Sequence, residues 1–397
     1  MDKMTVRDVE VSDKRVLVRV DCNIPLDEKT GAITDDSRIQ ATLPTIKYLI
    51  EQGSRVILIS HLGRPKGEVV DKLRLTVVAQ RLSQLLGQQV GVTRDCIGAE
   101  VEKSVKSLRS GNVLLLENLR FHSAEEMDSS LFARALARLA DIYVNDAFGT
   151  SHRSHASIVR IAEYLPAVAG LLLEKELDNL GGILENPVHP FAAVLGGAKV
   201  SDKVGMLENI MGKVSHLLIS GGMAAAFLKA KSYEIGKSLF EADKLDTAAG
   251  LIKKATRNGV KLLLPLDVVV ADEISDKAKV KVVSIENIPP DWGIVDIGPQ
   301  TTKSFYKELR RCKTIFWNGP MGIYEIPRFA QGTQAMAKLL ASLNATTITG
   351  GGSTAEVVIE MGLADKMSFV STGGGASLRF LGGGTLPGVE VLLDKNA

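Results

Sequence analysis

The sequence predicts an α/β protein of two doubly wound, parallel-sheet (Rossmann-like) domains joined by an interdomain helix and hinge. Short β-branched and leucine-rich runs recur along the chain, separated by stretches of helical length, which is the pattern of βαβ units. At 397 residues the chain exceeds what one hydrophobic core usually supports, and a 45% hydrophobic content suffices for two interiors. The loops that follow the runs also change character halfway, from basic to glycine-rich.

In the first half the runs are 15–20, 55–59, 113–116 and 141–144. In the second half they are 191–195, 216–219, 261–264, 314–317, 346–349 and 367–370. Between the halves, Leu173, Leu177, Leu180 and Leu184 recur at spacings of four, three and four, one face of a helix starting near Gly170. Gly181 and Gly182 each cost about 1 kcal/mol relative to Ala inside a helix, so they suggest an end or a bend there. The expected division is a first domain over 1–169, the connecting helix over 170–184 and a second domain over 185–380. The tail 381–397 is expected to pack back across the first domain.

The charge balance, 48 basic against 46 acidic residues for a net +2, lacks the basic excess of a dedicated nucleic-acid binder. Any anion site is therefore local. Met1-Asp2-Lys3-Met4 opens no apolar signal region, and no apolar run reaches the roughly 18 to 20 residues of a membrane span. A cytoplasmic protein is expected, with neither nucleic-acid nor membrane partners. Cys22, Cys96 and Cys312 are widely spaced and form no CxxC or Cys/His ligand pattern, which speaks against a disulfide framework or a structural zinc. Cys22, beside Asp21, reads as a buried strand-end thiol more readily than as a reactive one.

Ligands of open parallel sheets bind beyond the carboxyl ends of the strands. After the first-half runs stand Asp21-Cys22-Asn23, His61-Leu62-Gly63-Arg64-Pro65, Arg120-Phe121-His122 and Ser151-His152-Arg153-Ser154-His155, with Arg38 in Asp-Asp-Ser-Arg. Converging arginine forks suit a substrate carrying phosphate and carboxylate together. After the second-half runs stand Gly196-Gly197-Ala198-Lys199, Gly221-Gly222-Met223, Gly350-Gly351-Gly352-Ser353-Thr354 and Gly373-Gly374-Gly375-Ala376-Ser377. Glycine turns expose backbone N–H groups to phosphates, and Lys199 with Lys203, four apart, adds point charges. No P-loop motif and no His-Arg-Asp/Asp-Phe-Gly set is present. The stretch 350–355 fits G-x-G-x-x-[GA], yet the following run ends without the acidic residue a dinucleotide ribose needs. A dinucleotide oxidoreductase and a non-catalytic two-lobed anion binder are the competing classes.

From Arg19 to Gly388 the chain resembles the phosphoglycerate kinase family. The resemblance rests on 19–25 (RVDCNIP), 61–65 (HLGRP), 117–122 (ENLRFH), 145–149 (NDAFG), 196–203 (GGAKVSDK), 317–322 (WNGPMG) and 371–375 (STGGG). It implies reversible phosphoryl transfer between MgATP and the carboxylate of 3-phosphoglycerate, giving ADP and 1,3-bisphosphoglycerate in glycolysis and gluconeogenesis, by a monomer. It further implies that Asp21, Asn23, Arg38, His61, Leu62, Gly63, Arg64, Arg120 and Arg153 bind the glycerate. Lys203, Gly222, Asn318, Glu325, Gly351, Gly352, Ser353 and Thr354 would bind nucleotide, with Glu325 on the ribose. Arg38, Lys199, Gly374 and Gly375 would act on the transferring group. Because the basic and glycine-rich sets lie on different halves, a closing motion about residues 170–184 is expected to bring them together and exclude water. Two positions depart from the pattern. Ser353 replaces a usual acidic contact to Mg²⁺, which leaves a contact through its hydroxyl or through water, and Arg379 replaces a usual Glu, a change the residues do not explain.

Overall fold

The computed structural model describes residues 2–395; Met1 of the first stretch and Asn396 and Ala397 of the tail lie outside the described residues. The chain divides into two compact units. One comprises the described residues up to Asp178 together with those from Thr385 onward, and the other is Asn179–Gly384.

The first unit is built on six parallel strands: β1 (Arg15–Val20), β2 (Arg55–Ile59), β3 (Val90–Val92), β4 (Val113–Leu115), β5 (Ile142–Asp146) and β6 (Ala167–Ala169). Their order is β3-β4-β2-β1-β5-β6. Apolar runs without alternation, such as Val16 to Val18 or Val56 to Ile59, arise because both faces of the sheet are covered. One face packs against the helices Ser37–Glu51 and Thr76–Leu86, through Ile39, Ile46, Leu49, Val78 and Leu82. The strand order leads away from β1 on opposite sides, to β2 on one and β5 on the other, so the loops after β1 and β5 flank the switch point where ligands of such sheets bind.

The second unit has nine strands: β7 (Phe191–Leu195), β8 (His216–Ile219), β9 (Lys261–Leu263), β10 (Asp267–Ala271), β11 (Val280–Ser284), β12 (Gly293–Ile297), β13 (Thr314–Asn318), β14 (Thr346–Gly350) and β15 (Phe369–Val370). Six form a parallel sheet, β15-β14-β13-β7-β8-β9, with its switch point between β13 and β7. The other three form a separate antiparallel sheet, β11-β10-β12, that the run pattern does not predict. Trp317, Phe305, Met336 and Leu340 anchor the core on one face of the parallel sheet.

The connecting helix spans Leu171–Glu185, so it continues through Gly181 and Gly182 and ends three residues beyond them. Its buried face closes on Ile183 rather than Leu184. The division between the two units falls inside this helix, at Asp178/Asn179. No helix among the described residues is long and apolar enough to cross a membrane. Cys22, Cys96 and Cys312 are all free and buried.

Candidate active site

The first unit gathers its polar residues around the ends of β1, β2, β4 and β5. Asp21, directly after β1, accepts from Arg38 Nη1 at 3.0 Å. Asn23 Oδ1 accepts from Gly63 N at 2.8 Å, which ties the loop after β1 to the loop after β2. Asn118 holds the next loop: its Nδ2 donates to Leu62 O at 2.8 Å and its Oδ1 accepts from Arg120 N at 3.1 Å. Arg120 Nη1 in turn donates to Gly63 O at 2.8 Å. Arg120 is only 3% exposed, its Nε lies 3.2 Å from Glu126 Oε1, and its Nη2 has no hydrogen-bond partner among the described residues. A buried cationic donor without an acceptor is costly, and an anionic ligand would relieve it.

His61 reports the field of this cluster. Its pKa is pulled well below 6.5, first by burial and then by the guanidinium groups of Arg19, Arg120, Arg153 and Arg38. His155 is lowered to about 4 by burial and by Arg120, Arg19 and Arg153. Both imidazoles are neutral at physiological pH, so the positive charge of the cluster resides on arginines. Arg153 is half-buried, whereas Arg64 is exposed and makes no hydrogen bond or ion pair to another described residue. Eight of the nine residues expected here are thus tied to one network by a hydrogen bond or by their field on His61, and Arg64 is the one that is not.

Arg19 is absent from the expected set although it lies at the centre of the network. Fully buried, it donates from Nη2 to His61 Nδ1 (3.2 Å), from Nε to Ser157 Oγ (3.0 Å) and from Nη1 to Val20 O. Ser157 also donates to the buried Glu125, Oγ to Oε1 at 2.6 Å. Glu125 provides the counter-charge to Arg19, and burial raises its pKa against that pull. A charge inside the otherwise apolar stretch 16–20 was the available signal.

In the second unit Asn318 is the hub at the end of β13. Its Oδ1 accepts from Lys203 Nζ, its Nδ2 donates to Gly350 O at 2.8 Å, and its backbone carbonyl accepts from Gly196 N at 3.0 Å. Burial lowers the Lys203 pKa to about 8, with the neighbouring Asp202 acting the other way. Two glycines are required by close approach: a Cβ on Gly319 (φ 95°) would sit 2.3 Å from Gly196 O, and one on Gly221 (φ 65°) 2.5 Å from Gly197 N. Thr354 Oγ1 accepts from Gly319 N at 2.7 Å and pins the turn after β13 to the helix Gly352–Glu360.

These turns enclose a cavity of about 220 Å³ lined by Lys199, Lys203, Asn318, the 351–354 turn and Gly374. A second cavity of about 460 Å³, containing Gly222 and Glu325, shares Gly197, Ala198, Pro320 and Ser353 with it. Its wall is largely apolar: Leu239, Ala271, Ile274, Ile294, Met321 and Ile323. Two of these, Ala271 and Ile294, come from the antiparallel β10 and β12, so a motif search on the parallel strands missed them. Gly375, expected beside Gly374, lines neither cavity and instead begins the helix Gly375–Leu381. Asp202 and Ser353 offer oxygen donors to the smaller cavity. One helical turn beyond Ser353, Glu356 Oε2 accepts from Tyr324 Oη at 2.7 Å.

Comparison with known proteins agrees along the whole chain. The family model described as phosphoglycerate kinase matches residues 6–384. Over 395 residues, covering 100% of both chains, the protein is 53% identical to a phosphoglycerate kinase of Pelotomaculum thermopropionicum and 52% identical to one of Moorella thermoacetica. The solved phosphoglycerate kinase of Coxiella burnetii superposes with a TM-score of 0.86 at 42% identity, and that of Pyrococcus horikoshii with 0.87 at 32%, each over 98% of both chains. Relatives more than half identical from end to end, on the same fold, leave one assignment: the chain belongs to the phosphoglycerate kinase family.

Proposed function

We propose that this chain transfers the γ-phosphoryl group of ATP reversibly to the carboxylate of 3-phosphoglycerate, forming 1,3-bisphosphoglycerate and ADP. The observation that carries the reading is the division of ligand chemistry. The first unit presents clustered guanidiniums with a buried, incompletely paired Arg120. The second presents glycine turns and lysines adjoining an apolar pocket of nucleoside size.

The acceptor is a carboxylate with a pKa near 3 to 4, about three units below neutrality, so it is already ionised and no general base is required. One carboxylate oxygen attacks the γ-phosphorus, the bond to the β,γ-bridging oxygen breaks, and that electron pair leaves with ADP. The chain's task is positioning and charge neutralisation. In this reading Arg120, Arg153, Arg64 and Arg38 hold the two anionic ends of the substrate, and His61 adds a neutral donor. Lys203, the 351–354 amides and Gly374 hold the phosphates, Gly222 and Glu325 the nucleoside, and the exposed Lys199 follows the transferring group with Arg38.

Magnesium fits the donor set. Mg²⁺ prefers oxygen ligands and is commonly held by one or two carboxylates plus substrate phosphates. Asp202 and the Ser353 hydroxyl are the oxygen donors of the smaller cavity that would hold it together with the nucleotide. When bound it supplies charge neutralisation of the phosphates.

A coupled assay with 3-phosphoglycerate and MgATP tests the reading. Lys199→Ala and Arg38→Ala are each expected to lower turnover by at least about tenfold, or 1.4 kcal/mol of transition-state stabilisation. Turnover unchanged in both variants overturns the roles given to these residues. MgADP with 3-phosphoglycerate is expected to raise the melting temperature, and NAD to leave it unchanged. Direct transfer also requires the two ligand sets to meet, so small-angle scattering is expected to show compaction when both substrates are present; an invariant radius of gyration removes closure from the mechanism. The enzyme is proposed to work as a monomer in the cytoplasm, which sedimentation and cell fractionation check.

A further inference from the structure

Cys96 and His122 are 26 positions apart in the chain, and the fold makes them neighbours. The segment after β3 bends back under the end of β4. Thr93 Oγ1 donates to Asp95 O at 2.6 Å, and Asp95 Oδ1 accepts from Cys96 N at 2.6 Å. His122, two residues beyond Arg120, packs its ring against Phe132 with centroids 5.3 Å apart and places Nε2 2.7 Å from Asp95 Oδ1. One donor atom each from Asp95, Cys96 and His122 then lies within 4.8 Å of the others. We propose that Asp95, Cys96 and His122 form a binding site for a borderline-soft divalent cation, zinc by its donor set, separate from the nucleotide's magnesium.

The chemistry of the set selects the ion. Thiolate, imidazole and carboxylate together suit Zn²⁺, whereas Mg²⁺ and Ca²⁺ take oxygen donors. A tetrahedral zinc with bonds of about 2.0–2.3 Å sets its donors roughly 3–4 Å apart. Binding therefore requires the donors to draw together, and the Asp95 and His122 side chains, 52% and 31% exposed, are the open ones of the set. Cys96 is fully buried, so the thiol forms the inner wall of the site while the fourth coordination position faces solvent between the two open ligands.

A nucleophilic or redox role for the same cysteine is disfavoured. Burial first, then the carboxylates of Asp95 and Glu125, hold the Cys96 thiol well above its ordinary pKa. Such a thiol stays protonated until a cation displaces the proton. Bound metal would fasten the 93–96 segment to the turn that carries Arg120 and so stiffen one wall of the arginine cluster.

The test uses the full chain without nucleotide, titrated with Cd²⁺ and, in parallel, Co²⁺. Expected are a thiolate-to-cadmium charge-transfer band saturating at one cation per chain, tetrahedral cobalt bands in the visible, displacement of both by Zn²⁺, and a raised melting temperature. Cys96→Ser should abolish the cadmium band, and Asp95→Asn and His122→Gln, both at solvent-open positions, should weaken binding by at least about tenfold. Absence of the band at stoichiometric cadmium overturns the proposal. Persistence of the band in Cys96→Ser, which would assign it to Cys22 or Cys312, does so too, as does unchanged affinity in the Asp95 and His122 variants.

Discussion

Arginine carries only donors, so the 3.2 Å contact between Arg19 Nη2 and His61 Nδ1 has one polarity: Nδ1 accepts. The neutral ring therefore carries its proton on Nε2, which leaves that N–H as the donor His61 can offer an anionic ligand. ¹⁵N NMR of the free protein at pH 7 is expected to show His61 neutral with Nδ1 unprotonated. Arg19→Gln, which removes the charge, should let the ring titrate nearer 6.5. An imidazolium signal at pH 7, or a proton on Nδ1, would sink this assignment. The same residue shows where reading the sequence stops. Arg120 and Arg153 are legible because they follow apolar runs, at strand ends where ligands bind, whereas Arg38 stands apart in Asp-Asp-Ser-Arg, at the start of the helix Ser37–Glu51. Arg19 lies inside a run, and only the fold reveals that Glu125 and Ser157, more than a hundred residues away, meet its charge.

At the scale of elements, Asp146 closes β5 and opens the connecting helix. Its Oδ1 accepts from Leu172 N at 2.9 Å and Leu173 N at 3.3 Å, and a Cβ on Gly170 would stand 2.1 Å from that oxygen. Burial raises the Asp146 pKa to about 7, against the pull of Thr45 and the two amides, and burial likewise raises Asp296 to about 7. Each contributes stability that is fully present below an unfolded pKa of about 4 and is lost as pH rises through about 7. His61 and His155 act oppositely in nearly the same window. Their folded pKa values are depressed, so stability is lost as pH falls below about 6.5. The native profile between these limits is the difference of the two slopes. Asp146→Asn keeps an acceptor for the helix amides and removes one opposing slope, so stability measured by denaturant titration should rise more steeply from pH 4.5 to 7 than in the native protein, with roughly 1–4 kcal/mol as the range of the change. An unaltered slope would show that Asp146 is ionised in the fold. The β5 strand and this helix were legible from their apolar runs and 3.6-residue spacing. The antiparallel β10–β12 sheet was not: β11 is mostly exposed, its burial pattern matches no buried run, and its pairing is invisible along the chain.

The tail is an element of the first unit supplied by the end of the chain. Leu386 and Leu392 are buried at 2% and 3% exposure. Leu393 N donates to Ala167 O at 2.9 Å, Met4 N to Leu393 O at 2.7 Å and Gly388 N to Ser151 O at 2.9 Å. Asn145 Nδ2 donates to Gly388 O at 2.8 Å, directly beside Asp146. The tail seats against Ser151, in the loop that carries Arg153, a partner that the residues of the tail do not reveal. Each buried leucine contributes about 1.5–3 kcal/mol and each hydrogen bond about 0.5–1.5 kcal/mol, so the tail accounts for at least about 5 kcal/mol. That is comparable with the whole stability of a typical domain, about 5–15 kcal/mol. A chain ending at Gly384 is therefore expected to lose the calorimetric transition of the first unit, together with 3-phosphoglycerate-dependent stabilisation. The second unit has its own parallel sheet and apolar core and should retain a melting transition that shifts upward with ADP. Two transitions persisting at unchanged temperatures would mean that the tail is dispensable. Simultaneous loss of both would mean that the second unit cannot fold without the first, and the division of stability at Asp178/Asn179 would fail with it.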